Sequence, residues 1–116
     1  MSSLERYSDR TFESIKHLTK DGIEFWYARD LQEALEYTEW RNFCKVIDKA
    51  TISCESGGQS VNECFVEVNK TSPMPNGGEK VLEDFMLSRY ACYLIVMNGD
   101  PRKEVIAVGQ TYFAVK

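Results

Sequence analysis

The chain of 116 residues has a net charge of −4, with 43% hydrophobic, 12% aromatic and 28% charged residues. That is the composition of a soluble globular protein, which excludes a disordered tail, and the length suffices for one domain and not two. The acidic balance disfavours indiscriminate attraction to a polyanion, so any nucleic-acid contact has to be local.

No apolar run approaches the about 18 residues of a spanning helix, and the first thirty residues hold no signal-peptide stretch, so no membrane contact and a cytoplasmic location are expected. Cys44, Cys54, Cys64 and Cys92 include no Cys-x-x-Cys pair, and His17 is the single histidine. This pattern predicts reduced thiols used as small hydrophobes, with no metal site and no cofactor.

Residues 1–11 are polar and aperiodic and are expected to form a flexible lead-in to a domain over residues 12–116. Phe12 to Leu18 and Ile23 to Tyr27 are β-compatible runs on either side of Thr19-Lys20-Asp21-Gly22, whose Asp-Gly pair suits the positive φ of a hairpin turn. After Ala28 the period changes. Leu31, Ala34 and Leu35 fall on one side of a short helix, with Gln32, Glu33 and Glu36 on the other.

Thr38 is placed to cap a second helix from about Trp40 to Cys54, and Gly57-Gly58 breaks it. Ser60-Val61-Asn62-Glu63 fits a capping box for one further turn. Phe65 to Val68 and Val81 to Leu87 then read as a second hairpin around the loop Ser72-Pro73-Met74-Pro75-Asn76-Gly77-Gly78.

Ser88 caps Tyr90 to Met97, apolar on all sides and therefore a buried helix. Asn98-Gly99 stops it, Asp100-Pro101 is expected to start the last helix, and the chain reaches Lys116 without a breaker, as expected of the N-terminal part of a longer protein. The stripe at Tyr112 and Phe113 serves either the core or self-association into a homo-oligomer. The fold class is α+β: two β-hairpins, a helix-turn-helix-like helical pair between them and two C-terminal helices.

The second helix carries the most informative pattern. Trp40, Phe43, Val46, Ile47 and Ala50 make an apolar face, while Arg41, Lys45 and Lys49 recur at four-residue steps on the other side. Like charges so spaced repel by a few tenths of a kcal/mol per step, and an external anion relieves them. Arg41, Lys45 and Lys49 are candidate phosphate contacts, with Asn42 beside them offering the paired donor and acceptor that match adenine. Alternatively, these cations form a solvated face paired with Glu33, Glu36 or Asp48.

Arg102 and Lys103, in the expected first turn of the last helix, and Arg29 and Arg89, near other helix starts, are further candidate nucleic-acid contacts. No catalytic constellation emerges. His17 has no partner nucleophile, Glu83 and Asp84 point to opposite faces of a strand, and Asn76-Gly77-Gly78 lacks the Gly-Lys-Ser/Thr of a phosphate loop.

Five stretches carry a family resemblance: Phe25-Trp26-Tyr27-Ala28-Arg29-Asp30-Leu31, Tyr37-Thr38-Glu39-Trp40-Arg41-Asn42-Phe43, Leu87-Ser88-Arg89-Tyr90-Ala91-Cys92-Tyr93-Leu94, Asn98-Gly99-Asp100-Pro101-Arg102-Lys103-Glu104-Val105 and Gly109-Gln110-Thr111-Tyr112-Phe113-Ala114. Together they make the chain, from about Phe12 onward, resemble the N-terminal domain of the DNA-damage-inducible protein D family. That family is a bacterial branch of the BRO-N domains found in phage antirepressors and baculovirus repeat proteins. The resemblance implies an α+β, non-enzymatic domain that binds DNA, with expression tied to the damage (SOS) response. The alternative is a protein-interaction module regulating recombination or repair proteins, with Asp30, Glu33 and Glu36 docking a basic partner.

Overall fold

The computed structural model describes residues 11–115, and the expected lead-in, Thr11 excepted, lies outside the described residues. Both hairpins form. Strands β1 (Lys16–Leu18) and β2 (Glu24–Tyr27) are antiparallel and joined at Gly22, whose φ of 81° only glycine adopts at little cost. The first strand is shorter than the expected run from Phe12, because residues 11–14 form a helical turn that buries Phe12. Phe12 packs at 5.3 and 5.2 Å from the rings of Tyr112 and Phe113, and its carbonyl accepts the Trp26 indole N–H at 2.9 Å. Packing has overridden β propensity there.

The helical pair follows as α1 (Ala28–Ala34) and α2 (Trp40–Ser56). Between them Glu36 takes φ 62°, its N–H bonds the Glu33 carbonyl, and the Tyr37 N–H reaches back to Gln32, an arrangement that satisfies the last carbonyls of α1. After the single turn α3 (Val61–Cys64), strands β3 (Phe65–Pro73) and β4 (Glu79–Leu87) pair along their whole lengths. Ser60 occupies the N-cap of α3 without the side-chain bond a capping box requires. Helices α4 (Arg89–Met97) and α5 (Glu104–Val115) close the chain, and Ser88 Oγ accepts the Ala91 N–H at 3.0 Å as expected of a cap.

The last helix begins a turn later than Asp100-Pro101 predicts. Asp100 folds a tight turn, its carbonyl taking the Lys103 N–H and its carboxylate the Arg102 N–H, and α5 starts only at Glu104.

The two hairpins are not separate. Trp26 and Tyr27 pair with Leu87 and Met86, making one antiparallel sheet of order β1-β2-β4-β3. Trp26, Phe65 and Leu87 share the face that receives the helices, and α4 is buried there at Ala91, Cys92, Ile95 and Val96. Tyr112 and Phe113 belong to the core, not to a dimer face. Gly109 permits the close approach of α5, since a Cβ there would stand 3.0 Å from Val96 Cγ1.

Where β2 ends, α1 turns alongside β4. The contact is made by Asp84, whose carboxylate is fully buried. Its Oδ1 accepts the Arg29 N–H at 3.0 Å and its own neighbour's, from Phe85, at 2.8 Å, while Lys70 Nζ lies 2.7 Å from Oδ2. Tyr27, at the N-cap of α1, supplies no side-chain cap, so a carboxylate from a distant strand does that work. Asp84→Ala is expected to lower unfolding stability by about 3 kcal/mol, because it strands two amides and the Lys70 charge. Glu83→Ala, one residue away but with an exposed side chain, should stay within about 0.5 kcal/mol; urea denaturation of both variants checks the contrast.

Candidate nucleic-acid interface

Helix α2 buries Phe43, Ile47, Ala50 and Cys54 against the domain, each of the larger side chains worth about 1.5–3 kcal/mol. That burial fixes the rotation of the helix and turns Arg41, Asn42, Lys45 and Lys49 outward, where all four are exposed. Among the described residues no carboxylate stands within 4.0 Å of Arg41, Lys45 or Lys49. Glu33, Glu36 and Asp48 therefore do not neutralise the helix face. Glu39, not Thr38, occupies the N-cap position and makes no side-chain cap bond, so the first amides of α2 have no side-chain acceptor.

Arg29 is held beside this end of α2. Its guanidinium carbon lies 4.1 Å from the centre of the half-buried Trp40 ring, and its Nε donates to the Glu83 carbonyl at 2.7 Å. Trp40 in turn stacks on Phe85 with ring centres 6.4 Å apart. Arg29 is thus fixed at its backbone by Asp84 and at its side chain by Glu83, two consecutive residues of β4.

The remaining cations are engaged elsewhere. Arg102 is forked onto Asp100, with Nε 3.0 Å from Oδ1 and Nη2 2.9 Å from Oδ2. It does not sit in a helical first turn, for the reason given above. Lys103 Nζ donates to the Glu36 carbonyl at 3.2 Å and lies 4.2 Å from the centre of the Tyr37 ring, tying α5 to the turn ahead of α2. Arg89 donates through Nε and Nη2 to the two carboxylate oxygens of Glu24 and reaches over the Trp26 and Tyr112 rings. On the acidic side Glu33 and Glu36 are exposed, and Asp30 stands 3.8 Å from His17 Nε2. Among the described residues no cluster of three His, Cys, Asp or Glu is disposed to hold a metal ion, and no helix is long and apolar enough to cross a membrane.

The model of the BRO family N-terminal domain matches residues 14–114, nearly the whole chain. The chain belongs to the BRO family. It is also similar to the DNA damage-inducible protein D of Escherichia coli strain K12, with 45% identity over 105 residues, which is 90% of this chain and 38% of that relative. The chain therefore spans little more than a third of the relative's length. No solved structure matches it.

Sequence reasoning missed two polar groupings in this BRO domain. One is Asp84 with Lys70; its visible signal is a carboxylate at the middle of Leu82, Asp84 and Met86, an otherwise apolar strand face. The other links residues far apart in the chain. Tyr112 donates its hydroxyl to Glu13, Lys16 Nζ lies 2.9 Å from Glu13 and 4.0 Å from Glu24, and Glu24 takes the Arg89 fork.

The Arg89 hydrogen bonds hold the Glu24 carboxyl below its ordinary 4.5, and the Tyr112 hydroxyl followed by Lys16 does the same for Glu13. Burial, then the Glu13 bond, raises the Tyr112 phenol above its ordinary 10.0. A lowered carboxylate pKa means that the folded state holds fewer protons, so this stability is present above pH 4.5 and is lost as the pH falls below it. For the phenol the sign is reversed: stability is intact below pH 10.0 and falls as the pH rises beyond it. Melting temperatures should therefore plateau between these limits and drop on both sides, with Glu24→Gln flattening the acid limb and Tyr112→Phe the alkaline one. An acid limb unchanged in Glu24→Gln would exclude this account.

Proposed function

We propose that this BRO domain is a non-enzymatic DNA-binding module of the DNA-damage response. The observation that carries the reading is the exposed row of Arg41, Lys45 and Lys49, without an ion-pair partner among the described residues, on a helix whose other face is locked into the core. Three cations held about 6 Å apart on one helix are spaced to meet successive phosphates, and no carboxylate among the described residues stands within 4.0 Å of them. Asn42, on the same exposed surface, presents an amide suited to the edge of adenine in a major groove. Arg29, braced on Trp40, extends the row at the uncapped start of α2, where helix amides also favour phosphate. Arg102 and Lys103 assist only by yielding their present partners, and Arg89 serves the core, so these three are secondary to the α2 row.

The likeness to a DNA damage-inducible protein supports a role in the damage response, and the absence of a catalytic constellation in the sequence supports a binding role. A second reading rests on the carboxylates of α1 and the turn after it, Asp30 half-buried and Glu33 and Glu36 exposed, and on the net charge of −4: these three would dock a basic surface of a recombination or repair protein.

Fluorescence anisotropy with a mixed-sequence duplex separates the two. Three neutralised phosphates give a log–log slope of affinity against salt of about −3, and reversal of Arg41, Lys45 and Lys49 to glutamate should remove most of that slope together with the binding. Duplex affinity unaffected by this triple reversal would overturn the assignment and leave the acidic face of α1 as the working surface.

A further inference from the structure

A second set of like charges stands on the β3–β4 ribbon. Strand β2 pairs with β4 only at Met86 and Leu87, so residues 79–85 of β4 have β3 as their one strand partner, and the ribbon runs out to a loop, residues 74–78, that is exposed throughout. A two-stranded ribbon left to itself is marginally stable in water. By register Glu67, Glu79, Val81 and Glu83 share one of its faces, and all four are exposed, Val81 to 63%. No cation shares that face of the ribbon, since Lys70 and Lys80 fall on the other. Among the described residues no Lys, Arg or His stands within 4.0 Å of these three carboxylates.

The outer side of α2 repeats this arrangement with the opposite sign. Ile52, 65% exposed, follows Lys45 by seven residues and Lys49 by three, which puts it on the same side of the helix as the row of Arg41, Lys45 and Lys49. Asp48 and Glu55 flank that row along one margin only. From the rise per residue, Glu79 and Glu83 stand about 13 Å apart along β4, and Arg41 and Lys49 about 12 Å apart along α2. The two patches also adjoin: Trp40 at the head of α2 stacks on Phe85, and Arg29 joins the Trp40 ring to the Glu83 carbonyl.

We infer that each patch docks the opposite patch of a second copy of this chain, the ribbon of one copy lying along α2 of the other and the reverse contact being made about the same two-fold axis. Because the two patches adjoin, the exchange closes at two copies. It sets three carboxylates against three cations of matching span, covers Val81 and Ile52, and gives the projecting ribbon a surface to pack on. A nucleic acid satisfies α2 alone, since the ribbon face repels phosphate, whereas a second copy satisfies both surfaces. The dimer does not depend on the DNA reading given above; where both hold, duplex and second copy exclude one another on α2.

Analytical ultracentrifugation of the 116-residue chain without nucleic acid tests it. The chain should sediment as a dimer at low ionic strength and dissociate as sodium chloride is added, because contacts between exposed charges are screened. Reversal of Glu67, Glu79 and Glu83 to lysine should weaken the dimer by about tenfold or more, as should reversal of Arg41, Lys45 and Lys49 to glutamate. An equimolar mixture of these two variants should form a dimer again, since each ribbon then meets a helix of opposite charge. All six side chains are exposed, and circular dichroism verifies that both variants fold. A parental chain that stays monomeric at low salt, a dimer indifferent to either reversal, or a mixture that fails to associate would each overturn the proposal. None of these outcomes bears on duplex binding by α2, which the anisotropy titration decides separately.

Discussion

A single buried carboxylate decides where the first helix begins. Asp84 lies where β2, had it continued, would have paired with β4, and it offers the chain an acceptor from its side chain in place of one from the backbone. The strand ends at Tyr27 and the helix begins at Ala28, because the amide of Arg29 finds that carboxylate and because an anion at the start of a helix is favoured by the aligned peptide dipoles. Burying a charge this completely is tolerable only with close partners, and Lys70, reaching from β3, supplies the opposite sign. One residue thereby couples a helix start, the long hairpin and the position of Arg29.

That coupling reaches the candidate interface. Arg29 cannot move relative to β4 without giving up either its amide bond to Asp84 or its Nε bond to Glu83, so its guanidinium is held over Trp40 at the beginning of α2. Trp40 is itself backed by Phe85 from the same strand. The basic helix and the sheet are therefore joined through stacked planar groups, which fixes the position of the Arg29 guanidinium relative to α2.

Charge in this domain is divided by whether a partner is near. Arg89, Lys70 and Arg102 have their carboxylates, as Glu24, Asp84 and Asp100, and contribute to internal order. Arg41, Lys45 and Lys49 have none among the described residues, so a molecule with net charge −4 still presents a locally cationic helix. The overall balance says little about this surface, because exposed charges more than a Debye length apart, about 8 Å under physiological salt, are largely screened from one another.

Much of the fold could be read from local signals, since its causes are local. The Asp21-Gly22 turn, the amphipathic period of α2 and the Ser88 cap each depend on residues within a few positions, and all three formed. The solvent-facing row of α2 followed in the same way, because the apolar stripe that buries one side of a helix dictates what the other side shows. The joining of two hairpins into one sheet did not, as nothing within β2 or β4 specifies a partner some sixty residues away in the chain. Nor could the sequence show that Arg89 would meet Glu24, that Asp84 would cap a helix it does not belong to, or that His17 would stack on Phe25. Those pairings arise from side chains brought together only by packing, and whether a charge is spent internally is decided there.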